Sequence, residues 1–209
     1  MPDTINTWEW KIVNIEEIKK SIVTILPEKT LISYNKNPKW IFKNYEENWI
    51  WTGFFISKDW KIITANHIIN NKNTPYTVIT HDKKQYKAKI IYQDEEKDIA
   101  ILKIDQRNTM PLSIQKKQIK VWKTTISFWT NPETLEIIYN YGHIIDINKK
   151  LDNMSNLIQI SNPLSPWFSG GPTINSTWEV IWINYAIYQE ENVTLPFYQI
   201  LPQPHEQYY

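Results

Sequence analysis

The sequence predicts an all-β protein in which a short N-terminal helix precedes a barrel or sandwich of about a dozen strands. Two observations predict it. Short runs of β-branched and aromatic residues recur along most of the chain, each broken by Asn, Asp, Pro or Lys. One early segment alone has helical spacing: Asn14 can cap, Glu17 completes a capping box, and Ile15, Ile18 and Ile22 share a face. The expected strands run from Ile50 to Ser57, Lys61 to Thr64, Tyr76 to Thr80, Gln85 to Tyr92 and Ile99 to Ile104. A polar stretch, Asp105 to Thr109, reads as a linker. The second half offers Thr124 to Trp129, Leu135 to Ile147, Leu157 to Ile160, Pro172 to Ile174, Glu179 to Tyr188 and Leu195 to Ile200. Lys149 to Asn156 is polar and reads as a loop; Pro202 to Tyr209 has no periodicity and reads as a frayed tail. No internal sequence repeat is visible.

Composition narrows the class of function. A chain of 209 residues can form one large β domain or two small barrels sharing an interface. There is no cysteine, which removes disulfides and thiolate metal sites. Net charge is +1 with the basic residues dispersed, so nothing asks for a nucleic-acid partner. No apolar run is long enough for a membrane-spanning helix. Met1-Pro2-Asp3-Thr4 does not open a secretory signal, so none is expected from this start.

Three short motifs carry chemistry. Phe168-Ser169-Gly170-Gly171-Pro172 offers a hydroxyl beside two glycines that permit close backbone approach. Thr64-Ala65-Asn66-His67 offers an imidazole after an apolar run, and Asp98 opens the apolar segment Ile99-Ala100-Ile101-Leu102. A serine hydroxyl is a weak nucleophile until a base takes its proton, and the base needs a carboxylate to fix its tautomer. His81 sits in a solvated turn, His143 in an expected strand and His205 in the tail, so His67 is the candidate base. Asp105 follows its strand rather than preceding it, which leaves Asp98 as the candidate carboxylate.

The order His, Asp, Ser and these motifs resemble the trypsin-like serine proteases, and most closely the HtrA/DegP branch, from about Trp51 to Ile187. The resemblance implies two six-stranded β-barrels of the chymotrypsin/trypsin type. It divides the chain into an N-terminal segment (1–30), a first barrel with His67 and Asp98 (31–109), a second with Ser169 (110–201) and a tail (202–209). It implies a serine endopeptidase with Ser169 as nucleophile, His67 as base, Asp98 as its partner, and the backbone N–H groups of Trp167 and Ser169 as the oxyanion hole. No cofactor or metal is implied. Asn184, Tyr185 and Ala186 would pair with the substrate backbone, and Leu164 and Ser165 would form the opposite wall. No acidic residue lies among them, so a small or medium apolar residue is expected before the scissile bond. Polypeptide substrates, a trimeric assembly, a part in protein quality control and extracytoplasmic work follow from the same resemblance, while the start without a visible signal leaves a cytoplasmic place open. A PDZ domain, frequent in that branch, is not expected here.

One feature runs against the family pattern. The chain has 11 Trp and 4 Gly, whereas average usage would give about 15 Gly and few Trp. The two counts together reach that figure. Trp60 and Trp178 stand where hairpin turns want glycine, and Trp129 precedes the turn Thr130-Asn131-Pro132. Trp167 and Trp182 stand where the resembled family has glycine. The pattern, with abundant Ile, Asn and Lys, implies UGA codons read as glycine. If Trp167 is native, the alternative is a protease fold that binds peptide without cleaving it. A Trp-rich carbohydrate binder is a third reading, and it leaves the three motifs unexplained.

Overall fold

The computed structural model describes residues 15–36, 50–69, 74–105, 109–116, 119–151, 154–164, 166–188 and 191–196. A helical turn over residues 15–19 (α1) leads into β1 (Ile22–Pro27) and the helix α2 (Glu28–Lys36). The first barrel continues with β2 (Trp51–Phe55), β3 (Lys61–Ala65), β4 (Tyr76–Ile79), β5 (Gln85–Asp94) and β6 (Ile99–Lys103). Its strands close in the order β1-β2-β3-β6-β5-β4. The second barrel holds β7 (Thr124–Thr130), β8 (Ile137–Leu151), β9 (Met154–Ile160), β10 (Pro172–Asn175), β11 (Val180–Tyr188) and β12 (Glu191–Pro196). It closes in the order β10-β11-β12-β9-β8-β7. Counted from its own first strand, this is the order of the first barrel. The duplication is one of topology, invisible as a sequence repeat. The expected pair of six-stranded barrels is what the chain forms.

Four details depart from the sequence reading. Ile22 belongs to a strand, not to the helical face of Ile15 and Ile18. The β-branched run Ile22-Val23-Thr24-Ile25 leaves the helix and pairs with both β2 and β4, so the first barrel begins before residue 31. The helix α2 was not expected; it starts at Glu28, an acidic residue in the first turn, and ends at Lys36. The supposed loop from Lys149 to Asn156 is mostly ladder, since Lys149 pairs with Leu157 and Leu151 with Met154. Backbone pairing continues there without an apolar face to announce it. The last strand is Glu191–Pro196 rather than Leu195 to Ile200, whose final residues lie outside the described set. Asn14, the middle of the linker and the tail lie outside it as well.

Burial follows from the closure. Strand β5 alternates exposed and half-buried residues, turning Tyr86, Ala88 and Ile90 onto the first barrel's core of Val23, Ile25, Phe55, Ile62 and Leu102. A separate cluster joins Ile15, Ile18, Ile22, Phe54 and Ile63 to Ile126, Phe128, Ile174 and Ile183. It fuses the two barrels, and because Ile22 enters it while Val23 and Ile25 enter the first barrel's core, β1 is buried along its whole length. Polar atoms in the seam are paired: Thr52 Oγ1 accepts the Thr130 amide at 2.9 Å, and the hydroxyls of Thr24 and Thr130 meet at 3.1 Å. Buried polar groups left unpaired would cost about 1–3 kcal/mol each.

Gly170 reaches across the same seam from the second barrel. Its φ is +82°, and a Cβ there would strike Thr64 Oγ1 and the Thr52 carbonyl oxygen. Gly170→Ala therefore combines backbone strain with overpacking, and we expect it to cost about 3 kcal/mol. In a domain of this size that lowers the thermal midpoint by roughly 10 °C, readable by calorimetry.

Candidate active site

Each motif residue stands where a strand meets a turn. Strand β3 ends at Ala65, and a 3₁₀ turn over Asn66–Ile68 carries His67 into the cleft between the barrels. The turn is held from outside by Gln93 of β5, whose side-chain amide donates to Asn66 Oδ1 at 2.8 Å and to the Ile69 carbonyl at 2.9 Å. Gln93 and Asn66 carry no motif in a single sequence, and nothing in the chain pattern announces their contact.

Asp98 lies just before β6 with φ +51°, a left-handed conformation that Asp tolerates better than most residues. The conformation lets one residue grip the turn three times. Its carbonyl accepts the Asn66 amide at 2.9 Å, Oδ1 accepts the His67 amide at 2.7 Å, and Oδ2 lies 2.7 Å from His67 Nδ1. The Asp98 side chain is 11% exposed and that of His67 is 45% exposed. An ionised carboxylate only accepts, so this contact puts the imidazole proton on Nδ1 and leaves Nε2 unprotonated. The charge run before Asp98 is anchored too. Asp94 accepts the Lys97 amide at 2.9 Å and the Tyr92 hydroxyl at 3.0 Å. Burial pushes the Asp94 carboxyl up, but these hydrogen bonds outweigh it and hold it below its ordinary range.

Ser169 follows a 3₁₀ turn over Pro166–Phe168 and is 7% exposed. The loop is pinned to β11: the Gly170 amide donates to the Asn184 carbonyl at 2.9 Å and the Asn184 amide to the Gly171 carbonyl at 2.8 Å. Phe168 is buried and stacks on Trp129 with ring centroids 3.6 Å apart. The Ser169 hydroxyl donates to the Tyr185 carbonyl at 3.0 Å. It is this carbonyl, rather than His67, that receives the hydroxyl in the structure. Tyr185 also sets its ring edge-on to the imidazole, centroids 5.9 Å apart. One residue of β11 thus touches both the hydroxyl and the base.

The other residues singled out from sequence fall as follows. Asn184 is buried and its Oδ1 accepts the Thr173 hydroxyl at 2.6 Å. Leu164 packs against the second barrel's core, beside Ile158 and Trp182. Trp167 is half-buried within the 3₁₀ turn. The backbone of Ala186 pairs with Val193, while Ser165 lies outside the described residues. His81 is exposed between β4 and β5. His143 stacks on Trp122 and meets the Ser161 hydroxyl at 2.9 Å. Among the described residues, no three His, Asp or Glu side chains are placed to hold a metal ion. No described helix is long and apolar enough to cross a membrane.

Residues 51–183 match the family described as the trypsin-like peptidase domain. A probable periplasmic serine endoprotease, DegP-like, from Pseudomonas fluorescens is 34% identical over 140 residues, covering 66% of this chain and 29% of its own. A protein of the same description from Chlamydia muridarum is 30% identical over 149 residues, covering 65% and 28%. The chain therefore spans under a third of the length of these curated relatives. Two crystal structures share the fold. That of Deg5 superposes with a TM-score of 0.72 at 19% identity, over 95% of this chain and 94% of the other. That of the serine endoprotease from Yersinia pestis gives 0.70 at 17% identity, over 88% and 61%.

Proposed function

Because this chain belongs to the trypsin-like peptidase family, we propose that it is a serine endopeptidase working through Ser169, His67 and Asp98. The observation that carries the reading is the double grip of Asp98 on the His67 turn, with Oδ2 2.7 Å from Nδ1. That contact has a purpose in catalysis: it leaves Nε2 basic and offers a countercharge for the imidazolium.

In this reading a substrate strand adds to the edge of β11 at Tyr185 and Ala186; the expected pairing at Asn184 falls away, because its N–H and carbonyl are already engaged by the Ser169 loop. The Ser169 hydroxyl turns from the Tyr185 carbonyl toward His67, a rotation about one side-chain bond. Such contacts are often long or misaligned before substrate binds. Ser169 Oγ attacks the peptide carbonyl as Nε2 takes its proton. The new oxyanion is held by the N–H groups of residues 167 and 169. His67 returns the proton to the leaving amine, and water then repeats the sequence on the acyl-enzyme. Neither Leu164 nor Ser165, the residues the resemblance assigns to the opposite wall, is charged, which favours an apolar side chain before the scissile bond. The DegP-like relatives are described as periplasmic serine endoproteases, which supports polypeptide substrates outside the cytoplasm; a part in protein quality control and a trimeric assembly rest on the family resemblance alone. Fractionation tests the location and sedimentation the trimer.

A second reading, peptide binding without turnover, is favoured by Trp167. A bulky residue in the turn that must aim its N–H at the oxyanion hinders that aim. The two readings separate when the chain is made as written and with glycine at the 11 tryptophan positions. We expect Trp167→Gly alone to raise kcat on casein or a peptide by about 10²–10³, the worth of one oxyanion donor. Peptide binding with no cleavage in either folded form would replace the endopeptidase reading with the second one.

A further inference from the structure

The backbone itself says which tryptophans are out of place. Among the described residues, six other than glycine have left-handed φ: Trp60 (69°), Lys83 (63°), Asp98 (51°), Trp122 (63°), Leu135 (54°) and Trp178 (66°). Half of them are tryptophan. A Cβ in this region collides with the neighbouring carbonyl, and a bulky side chain there is an outlier; glycine adopts it freely.

The surrounding ladder imposes these conformations. Trp60 closes the turn between β2 and β3, where the Ile56 amide reaches the Lys61 carbonyl at 3.0 Å. The Trp122 amide donates to the Ile144 carbonyl at 2.8 Å, just before β7. The Trp178 amide donates to the Asn175 carbonyl at 3.1 Å, in the turn between β10 and β11. Trp60 and Trp178 lie against core residues and Trp122 stacks on His143, but none of these contacts requires a left-handed backbone. Trp122 is 72% exposed. The indole N–H of Trp60 is buried with no hydrogen-bond partner, and so is that of Trp182, which lies wholly inside the second barrel. Buried indole N–H groups ordinarily find one. The glycines the sequence does print show the opposite: a Cβ at Gly53, Gly142, Gly170 or Gly171 would collide with its surroundings.

We infer that positions 60, 122 and 178 are glycine in the polypeptide as the cell makes it, from UGA codons decoded as glycine, and that position 182 is glycine too. Trp122 joins the set on backbone geometry alone. Trp129, which stacks on Phe168, is not assigned by these observations.

The test does not depend on activity. Codons are read at the four positions, and peptides of the protein isolated from its own cells are sequenced by mass spectrometry. UGA codons with glycine in the peptides are expected. UGG codons, or tryptophan in the peptides, at 60, 122 and 178 would overturn the inference. A second measurement compares recombinant chains: the triple substitution Trp60→Gly, Trp122→Gly and Trp178→Gly should raise the thermal midpoint of the chain as written. An unchanged or lower midpoint would count against the backbone argument.

Discussion

Ser169→Ala and His67→Ala are each expected to lower kcat for peptide cleavage by on the order of 10⁶, and the double substitution by no more. The hydroxyl and the base act as one unit. Without Nε2 to take its proton, Ser169 is an ordinary alcohol; without the hydroxyl, His67 has nothing to activate. What survives either loss is binding and the oxyanion donors. Neither side chain is fully enclosed by apolar core, so both variants should retain the parent's circular dichroism and thermal midpoint to within a few degrees. Additive losses would mean that the two residues work independently, which the proposed mechanism forbids.

Asp98→Asn is expected to cost about 10⁴ in kcat while leaving KM nearly unchanged. The side chain keeps its shape, so the left-handed residue and the hydrogen bond from the Asn66 amide can persist. What changes is the partner of Nδ1. The amide must satisfy the His67 backbone N–H through its oxygen, which turns its NH₂ toward the ring. The imidazole then carries its proton on Nε2, where the base is needed. Steady-state kinetics against a fluorogenic peptide reads the loss. A loss of less than tenfold would assign Asp98 a merely structural grip on the turn.

Much of this was legible in the chain. The strand runs on either side of His67, Asp98 and Ser169 stand close to where their residues placed them, because β-branched clusters and turn residues act locally. The strand at Ile22–Pro27 was obscured because Ile22 continued the spacing of Ile15 and Ile18, although the three side chains do share one core. Its pairing partners lie about thirty and fifty residues away, as β2 and β4, and no local pattern encodes them. The hairpin through Lys149 was hidden for a related reason: backbone hydrogen bonds can continue where side chains are polar. The motif residues of the site were visible, but their supports were not. Gln93 holds the His67 turn from 24 and 27 residues away, and Tyr185 meets both Ser169 and His67 through a carbonyl and a ring edge. Such contacts exist only once the barrels have closed. The tryptophan excess was readable as composition, whereas the left-handed turn at Trp122 required the backbone.

The most direct measurement is reaction with a fluorophosphonate, applied to the chain as written and to the form with glycine at the tryptophan positions, followed by peptide mapping. A single adduct on Ser169 that disappears in His67→Ala is the predicted result. An adduct on a different residue, labelling that survives removal of the imidazole, or no adduct on either folded form would contradict the account.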